Sequence, residues 1–296
     1  MEEIKKKGIV ADIALLIVAI IWGSGFIATK HGLDSISPLY LNAFRFSLAF
    51  ILMALVFRKK FKKIDRESII GGIIIGVFLF LGFGFQTVGL QFTTAGKQAF
   101  LTGTNVVMVP FLYWLISKKR PDSFSFIAAI LSFIGIGLLT LSNGFKVDLG
   151  DSLTIICAFF FACHIVSIGH YAKKSDPITL TILQFGVSAV LSIIVALIFE
   201  DIPNGITSQG VFSIIYLGLF STLIAFLIQN IAQKHTTSTH AAIMLSLESV
   251  FGSILSVILL KEVFSINMVI GCAIIFIAII TAETKWKFLI KKFRNI

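Results

Sequence analysis

Ten runs of about twenty mostly apolar residues follow one another along this 296-residue chain, at 12–31, 38–57, 68–91, 95–117, 123–142, 151–171, 177–199, 209–233, 239–260 and 265–284. A helix rises about 1.5 Å per residue, so roughly twenty residues cross the ~30 Å hydrocarbon core of a bilayer. Each run therefore predicts a transmembrane helix. The connections are short and hold the charges, prolines and glycines that stop helices, as in "RKKFKKIDRE", "SKKRPD" and "KKSDP". No soluble domain fits between them. With 57% hydrophobic and 14% charged residues, the chain has too little polar surface for a water-soluble globule, which carries about 25% charged residues. The expected fold class is an all-α polytopic membrane protein of ten transmembrane helices. The net charge of +10 sits in short clusters between apolar runs, the pattern of membrane loops rather than of a nucleic-acid surface. Cys157, Cys163 and Cys272 lie inside apolar runs and form no metal or disulfide pattern.

Lysine and arginine predict the orientation. With a cytoplasmic N-terminus, 20 of the 25 basic residues fall on the cytoplasmic side, and Lys30, Arg45, Lys97, Lys146 and Lys261 are the remainder. Both termini are thus expected in the cytoplasm. The first run follows Lys5, Lys6 and Lys7, but it is too long for a signal peptide and reads as a retained helix.

The chain also repeats itself. At an offset of 139, Asp12 meets Asp151, His31 meets His170 and Pro38 meets Pro177. At an offset of 143, Phe83 meets Phe226, Gln86 meets Gln229, and Thr93-Thr94 meets Thr236-Thr237. Each copy holds five spans, and an odd number makes the second copy enter the membrane from the opposite side, an architecture typical of secondary transporters. The expected organisation is an N-terminal tail (1–11), repeat 1 (12–142), repeat 2 (151–284) and a basic C-terminal tail (285–296).

Four stretches carry a family resemblance: "WGSGFIATKHG", "SPLYLNAFRF", "AGKQAFLTGTNVVMVPF" and "THAAIMLSLESVFGSILSVILLKE". Together with the ten spans they resemble the EamA-type branch of the drug/metabolite transporter superfamily, over about 12–284. That resemblance implies export or import of small metabolites such as amino acids, or of drug-like cations. One departure stands out. The family's ninth span usually reads Leu-Glu-Pro, and here it reads Leu247-Glu248-Ser249, which leaves the proline kink without its proline.

Glu248 is the acidic residue near the middle of a span, about 15 Å deep at 1.5 Å per residue. A charge there costs on the order of 3 kcal/mol on insertion scales, so it must face the bundle interior, water or a partner. Either it is a protonated group bound to serines such as Ser246 and Ser249, or it takes part in transport. At the offset of 143 its counterpart is Asn105. Thr102, Gln86, Gln229 and Asn230 place further polar groups at matching depth, as cavity lining or as interhelical hydrogen-bond glue. Arg45, about 10 Å deep, needs an anion, carbonyls or water, and Glu248 or an anionic substrate would serve. Lys97 is expected to snorkel. His164 reads as a satisfied core histidine or a proton relay. Trp22, Phe26, Phe159, Phe160 and Phe161 would form an aromatic wall, and Pro110 a kink in the fourth span.

No P-loop, HExxH or GxSxG motif is present in the sequence, so an ATPase or hydrolase reading lacks its equipment. The reading is a secondary transporter in a bacterial-type plasma membrane, working by alternating access, with Glu248 as the proton-coupling group. The alternatives are an uncoupled facilitator or an intramembrane enzyme. A small-molecule substrate and the lipid bilayer are the expected partners, with no nucleic acid, no cofactor and no metal, as a monomer or homodimer.

Overall fold

The computed structural model describes residues 2–118, 120–140 and 148–284. All regular structure among them is helical. The elements are α1 (Glu2–Gly32), α2 (Pro38–Val56), a 3-10 turn (Arg58–Lys63), α3 (Arg66–Gly89), α4 (Ala95–Gly103), α5 (Asn105–Ser117), α6 (Ser123–Thr140), α7 (Leu149–Tyr171) and α8 (Pro177–Phe199). Then come α9 (Ser208–Tyr216), a π-helical segment (Leu217–Ile224), α10 (Ala225–Gln233), α11 (Ser238–Ser246), α12 (Glu248–Leu260) and α13 (Ile266–Thr284). Among the described residues seven helical stretches are long and apolar enough to cross a membrane, and shorter apolar helices lie at Ser123–Leu138, Met244–Leu260 and Ile266–Thr281. The chain is a multi-pass membrane protein. The segment expected as an N-terminal tail is mostly the first turns of α1, and the expected C-terminal tail lies outside the described residues.

Apolar residues alone cannot order such a bundle, because lipid is as apolar as leucine; close backbone approach and buried polar contacts do it instead. α3 packs against α7 and α8, α2 against α8, α1 against α12, α4 against α12, and α6 against α13. Small residues sit at these crossings. A Cβ built on Gly23 would lie 2.7 Å from the Cβ of Phe251, and one on Gly252 would lie 2.8 Å from that of Ala99. Through these contacts α1, α12 and α4 touch nearly backbone to backbone.

The helix starts show how the sequence closes its own ends. Asp176 accepts from the Thr179 amide and caps α8. Its counterpart in the repeat, Ser37, makes no side-chain cap on α2. There the carboxylate of Glu200 accepts from the Leu39 and Tyr40 amides instead, at 3.0 and 3.1 Å. Glu262 does the same for α4, taking the Ala95 and Gly96 amides at 2.8 and 3.0 Å. Each of these carboxylates satisfies orphan N–H groups of a helix first turn and ties a later loop to an earlier helix.

Two ends of the bundle follow from these contacts. The loops around 33–37, 90–94, 148, 200–207 and 261–265 meet through Glu200, Glu262, the Ser35–Thr207 hydroxyl pair and the Lys97–Asp148 contact. This is the acidic end. The opposite, basic end is tied by Lys60–Asp176 (3.1 Å) and Lys174–Glu67 (3.2 Å).

Candidate functional site

Two of the ten expected spans are broken at their middle. The fourth is interrupted at Thr104, between α4 and α5, and the ninth at Leu247, between α11 and α12. These positions are 143 residues apart, the register of the repeat. At each break the ladder tightens: Thr104 N–H reaches the Leu101 carbonyl at 3.2 Å, and Val250 N–H reaches Leu247 at 3.1 Å. Asn105 and Glu248 are therefore the first residues of the second half-helices. The helix runs on through Pro110, so the interruption of the fourth span lies six residues before the proline that was expected to make the kink. The ninth span breaks although Ser249 stands where the family usually has proline.

Glu248 consequently sits at the positive end of the α12 dipole, where negative charge is favoured by about 0.3–1 kcal/mol. It is only 7% exposed. Among the described residues it has no ion-pair or hydrogen-bond partner, and the expected serine bonding to Ser249 is not present. Ser249 Oγ is itself buried without a partner.

Glu248 and Asn105 line one central cavity, together with Trp22, Arg45, Gln86, His164 and Gln229. Those are seven of the nine residues singled out from the sequence. The space not filled by atoms is about 600 Å³, but the centre of a water-sized sphere reaches only about 40 Å³ of it. The larger figure includes space open to solvent, so the smaller one decides what fits. A water needs about 10–15 Å³ on that measure. A few waters can be held, whereas a metabolite enters only when the walls part.

The other two residues stand behind the wall. Thr102 is fully buried and accepts from the Gln86 amide at 3.4 Å. Asn230 donates to Thr181 Oγ1 at 2.7 Å and so joins α10 to α8. Of the aromatic residues, Trp22, Phe26 and Phe161 line the cavity, while Phe159 is 44% exposed and Phe160 stacks on Phe85 at 5.7 Å. An aromatic side chain on a helix can point to lipid or inward, and composition does not distinguish them.

Arg45 is 1% exposed, and it does not pair with Glu248. Its Nε donates to Thr222 Oγ1 at 2.8 Å and a terminal nitrogen to Ser221 Oγ at 3.3 Å. The guanidinium lies 4.2 Å from the centre of the Phe83 ring, a cation–π contact worth about 2 kcal/mol when desolvated. Both hydroxyls belong to the π-helical segment. Its Ser221 carbonyl accepts from Trp22 Nε1 at 2.9 Å. π segments interrupt the regular ladder and recur at functional sites. His164 Nε2 donates to Gln184 Oε1 at 3.0 Å.

Sequence reasoning missed Gln98, Phe83, Phe226, Thr29 and Ser221 on the cavity wall. Gln98 had a signal, since it precedes Asn105 by seven residues, two helical turns on one face. The wall carries several acceptors without partners: Asn105 Oδ1, Gln98 Oε1 and Gln229 Oε1 are all buried and unbonded among the described residues.

Lys97 does not snorkel. Its side chain is 5% exposed, 2.5 Å from Asp151, which is fully buried. No group of three or more His, Cys, Asp or Glu suited to a metal ion occurs among the described residues.

The chain has relatives among known proteins. A protein of Archaeoglobus fulgidus described as an uncharacterized transporter is 37% identical over 279 residues, covering 94% of this chain and 87% of its own. The uncharacterized transporter YoaV of Bacillus subtilis is 22% identical over 271 residues, covering 89% of this chain and 93% of its own. A solved crystal structure aligns with a TM-score of 0.68 at 17% identity, covering 94% of this chain and 98% of its own, and is alike in fold. The sequence pattern of the EamA-like transporter family matches the chain twice, over 9–141 and over 148–283; the chain belongs to that family.

Proposed function

We propose that this protein is a secondary transporter that moves a small metabolite across the plasma membrane by alternating access, with proton coupling through Glu248. The observation that carries the reading is the pair of breaks: each half of the chain delivers a half-helix N-terminus, Asn105 or Glu248, to one cavity. Discontinuous helices meeting at a central site suit two inverted repeats, here residues 12–142 and 151–284, that rock about it. The basic end, which holds most lysines and arginines, faces the cytoplasm in this reading, with both termini there.

The wall specifies the ligand's chemistry. Among the described residues, a carboxylate without a cation partner and three unbonded carbonyl-type acceptors require hydrogen-bond donors. Trp22, Phe26, Phe83, Phe161 and Phe226 surround them with rings. The best match is a small molecule with an ammonium group and an apolar body, which includes amino acids and drug-like amines. A thermal-shift screen of the purified protein with amino acids, hydrophobic amines and hydrophobic carboxylates without an amine tests this. Stabilisation by the amine-bearing compounds, lost in Glu248→Ala, is expected. Stabilisation by the plain carboxylates alone would overturn the ligand class.

A further inference from the structure

The acidic end holds a second buried charged cluster, away from the cavity. Lys97 Nζ lies 2.5 Å from Asp151 Oδ2 and 3.7 Å from Asp148 Oδ2, and Thr93 Oγ1 donates to Asp151 Oδ1 at 3.0 Å. Lys97 is on α4, in the first half of the chain, and Asp151 is on α7, in the second. Such a pair is costly to bury and more costly to break on one side, and its clearest use is to specify one arrangement of the elements it joins.

Two further contacts at this end converge on α4. Glu262 caps its first amides, and Ser253 Oγ donates to the Gly96 carbonyl at 3.2 Å. α4 is a half-helix of nine residues that meets α5 at one tightened turn at Thr104. A tightened turn inside a helix is where hinges are commonly placed. The pair is also joined to the cavity. Gln98, next to Lys97, is on the cavity wall, and its Nε2 donates to the Gln86 carbonyl at 2.7 Å and to Thr154 Oγ1 at 3.3 Å. Thr154 is one helical turn from Asp151 on α7. Two adjacent residues of α4 thus contact two residues of α7 one turn apart, one pair at the cavity and one toward the surface. In the repeat register the equivalents of Lys97 and Asp151 are His240 and Asp12.

We infer that the Lys97–Asp151 pair is the gate contact of the acidic end, holding α4 against α7 and separating when the cavity opens to that side. This rests on the alternating-access reading, but its test follows access rather than flux, so the two fail separately. The probe is a cysteine at Thr29, on the cavity wall one turn from the acidic end of α1. Cys157, Cys163 and Cys272 are replaced by alanine. A charged, membrane-impermeant methanethiosulfonate is applied to oriented vesicles from each side in turn.

Asp151→Asn is expected to raise the labelling rate from the acidic-end side by about tenfold, a population shift toward the open state. The rate from the basic-end side stays unchanged or falls. The charge swap K97D/D151K is expected to return the rate toward that of the parent. A folded Asp151→Asn protein with an unchanged rate would overturn the gate, as would an equal rise from both sides, which marks general loosening. A swap that folds but leaves labelling high would do the same. If Asp151→Asn does not fold, K97Q/D151N, which leaves no lone charge, is judged by the same two rates.

Discussion

The fourth and ninth spans break at the same place in the repeat, yet the two breaks are built differently. In the fourth, α5 follows with Asn105, Val109 and Pro110; in the ninth, α12 follows with Glu248, Gly252 and Ser253. The first presents a neutral amide, and the second a carboxylate without a partner among the described residues. The first is backed by branched side chains. The second is backed by a glycine that lets α12 lie against both α4 and α1, where a Cβ would come within 2.8 Å of Ala99. The difference teaches that the interruption does not depend on proline, which stands at neither break. The charge and the close glycine contact occur at one.

Gly252→Val gives α12 the residue that α5 has at the equivalent position. Its branched Cβ must displace Ala99 or Phe26, so a loss of about 1–3 kcal/mol is expected, typical of overpacking. The unfolding temperature in detergent measures it, and an unchanged value would show that the two half-helices are equally roomy.

Ser249→Pro is expected to be far milder, below about 1 kcal/mol. Ser249 is the second residue of α12, where the N–H is one of the helix's orphan donors and proline's fixed φ is suitable. A large loss would mean that the ninth span is continuous through Leu247 and not broken as the fourth is.

The smallest effect concerns the caps of the equivalent helices α8 and α2. Burial raises the Asp176 carboxyl, but the Thr179 amide and hydroxyl and the Lys60 ammonium outweigh it and hold it below its ordinary 3.8. A depressed carboxyl stabilises the fold fully above its unfolded pKa of about 3.9, and that share is lost as pH falls through the folded value. The gap in unfolding temperature between the parent and Asp176→Asn should therefore narrow from pH 6 to pH 3. A gap that stayed constant would show that the cap acts without its charge.

Much of this was legible in the residues. Apart from the start of α1, which begins ten residues before the expected span, the span limits agree with the helix ends to a few residues because charges, Pro38, Pro177 and the capping aspartates mark where helices stop. That Asn105 and Glu248, which begin α5 and α12, belong together was readable because polar residues in apolar runs are few and hold a 143-residue spacing. The exact break point was not, because proline at 110 is a stronger local signal than the packing that interrupts the helix at Thr104. Lys97 was misread for a related reason. A lysine near a span end snorkels unless another helix brings it an anion, and only the tertiary fold places Asp151 beside it. The hydroxyls that hold Arg45 depend on the π segment, which has no signature in the sequence.

Transport by the purified protein in liposomes tests the central claim most directly. The substrate is the amine-bearing compound giving the largest thermal shift, and accumulation is driven by an imposed pH gradient. Glu248→Gln should retain exchange of that compound across the membrane while losing pH-driven accumulation by at least about tenfold. Full accumulation by Glu248→Gln, with the parent's dependence on pH, would contradict the account.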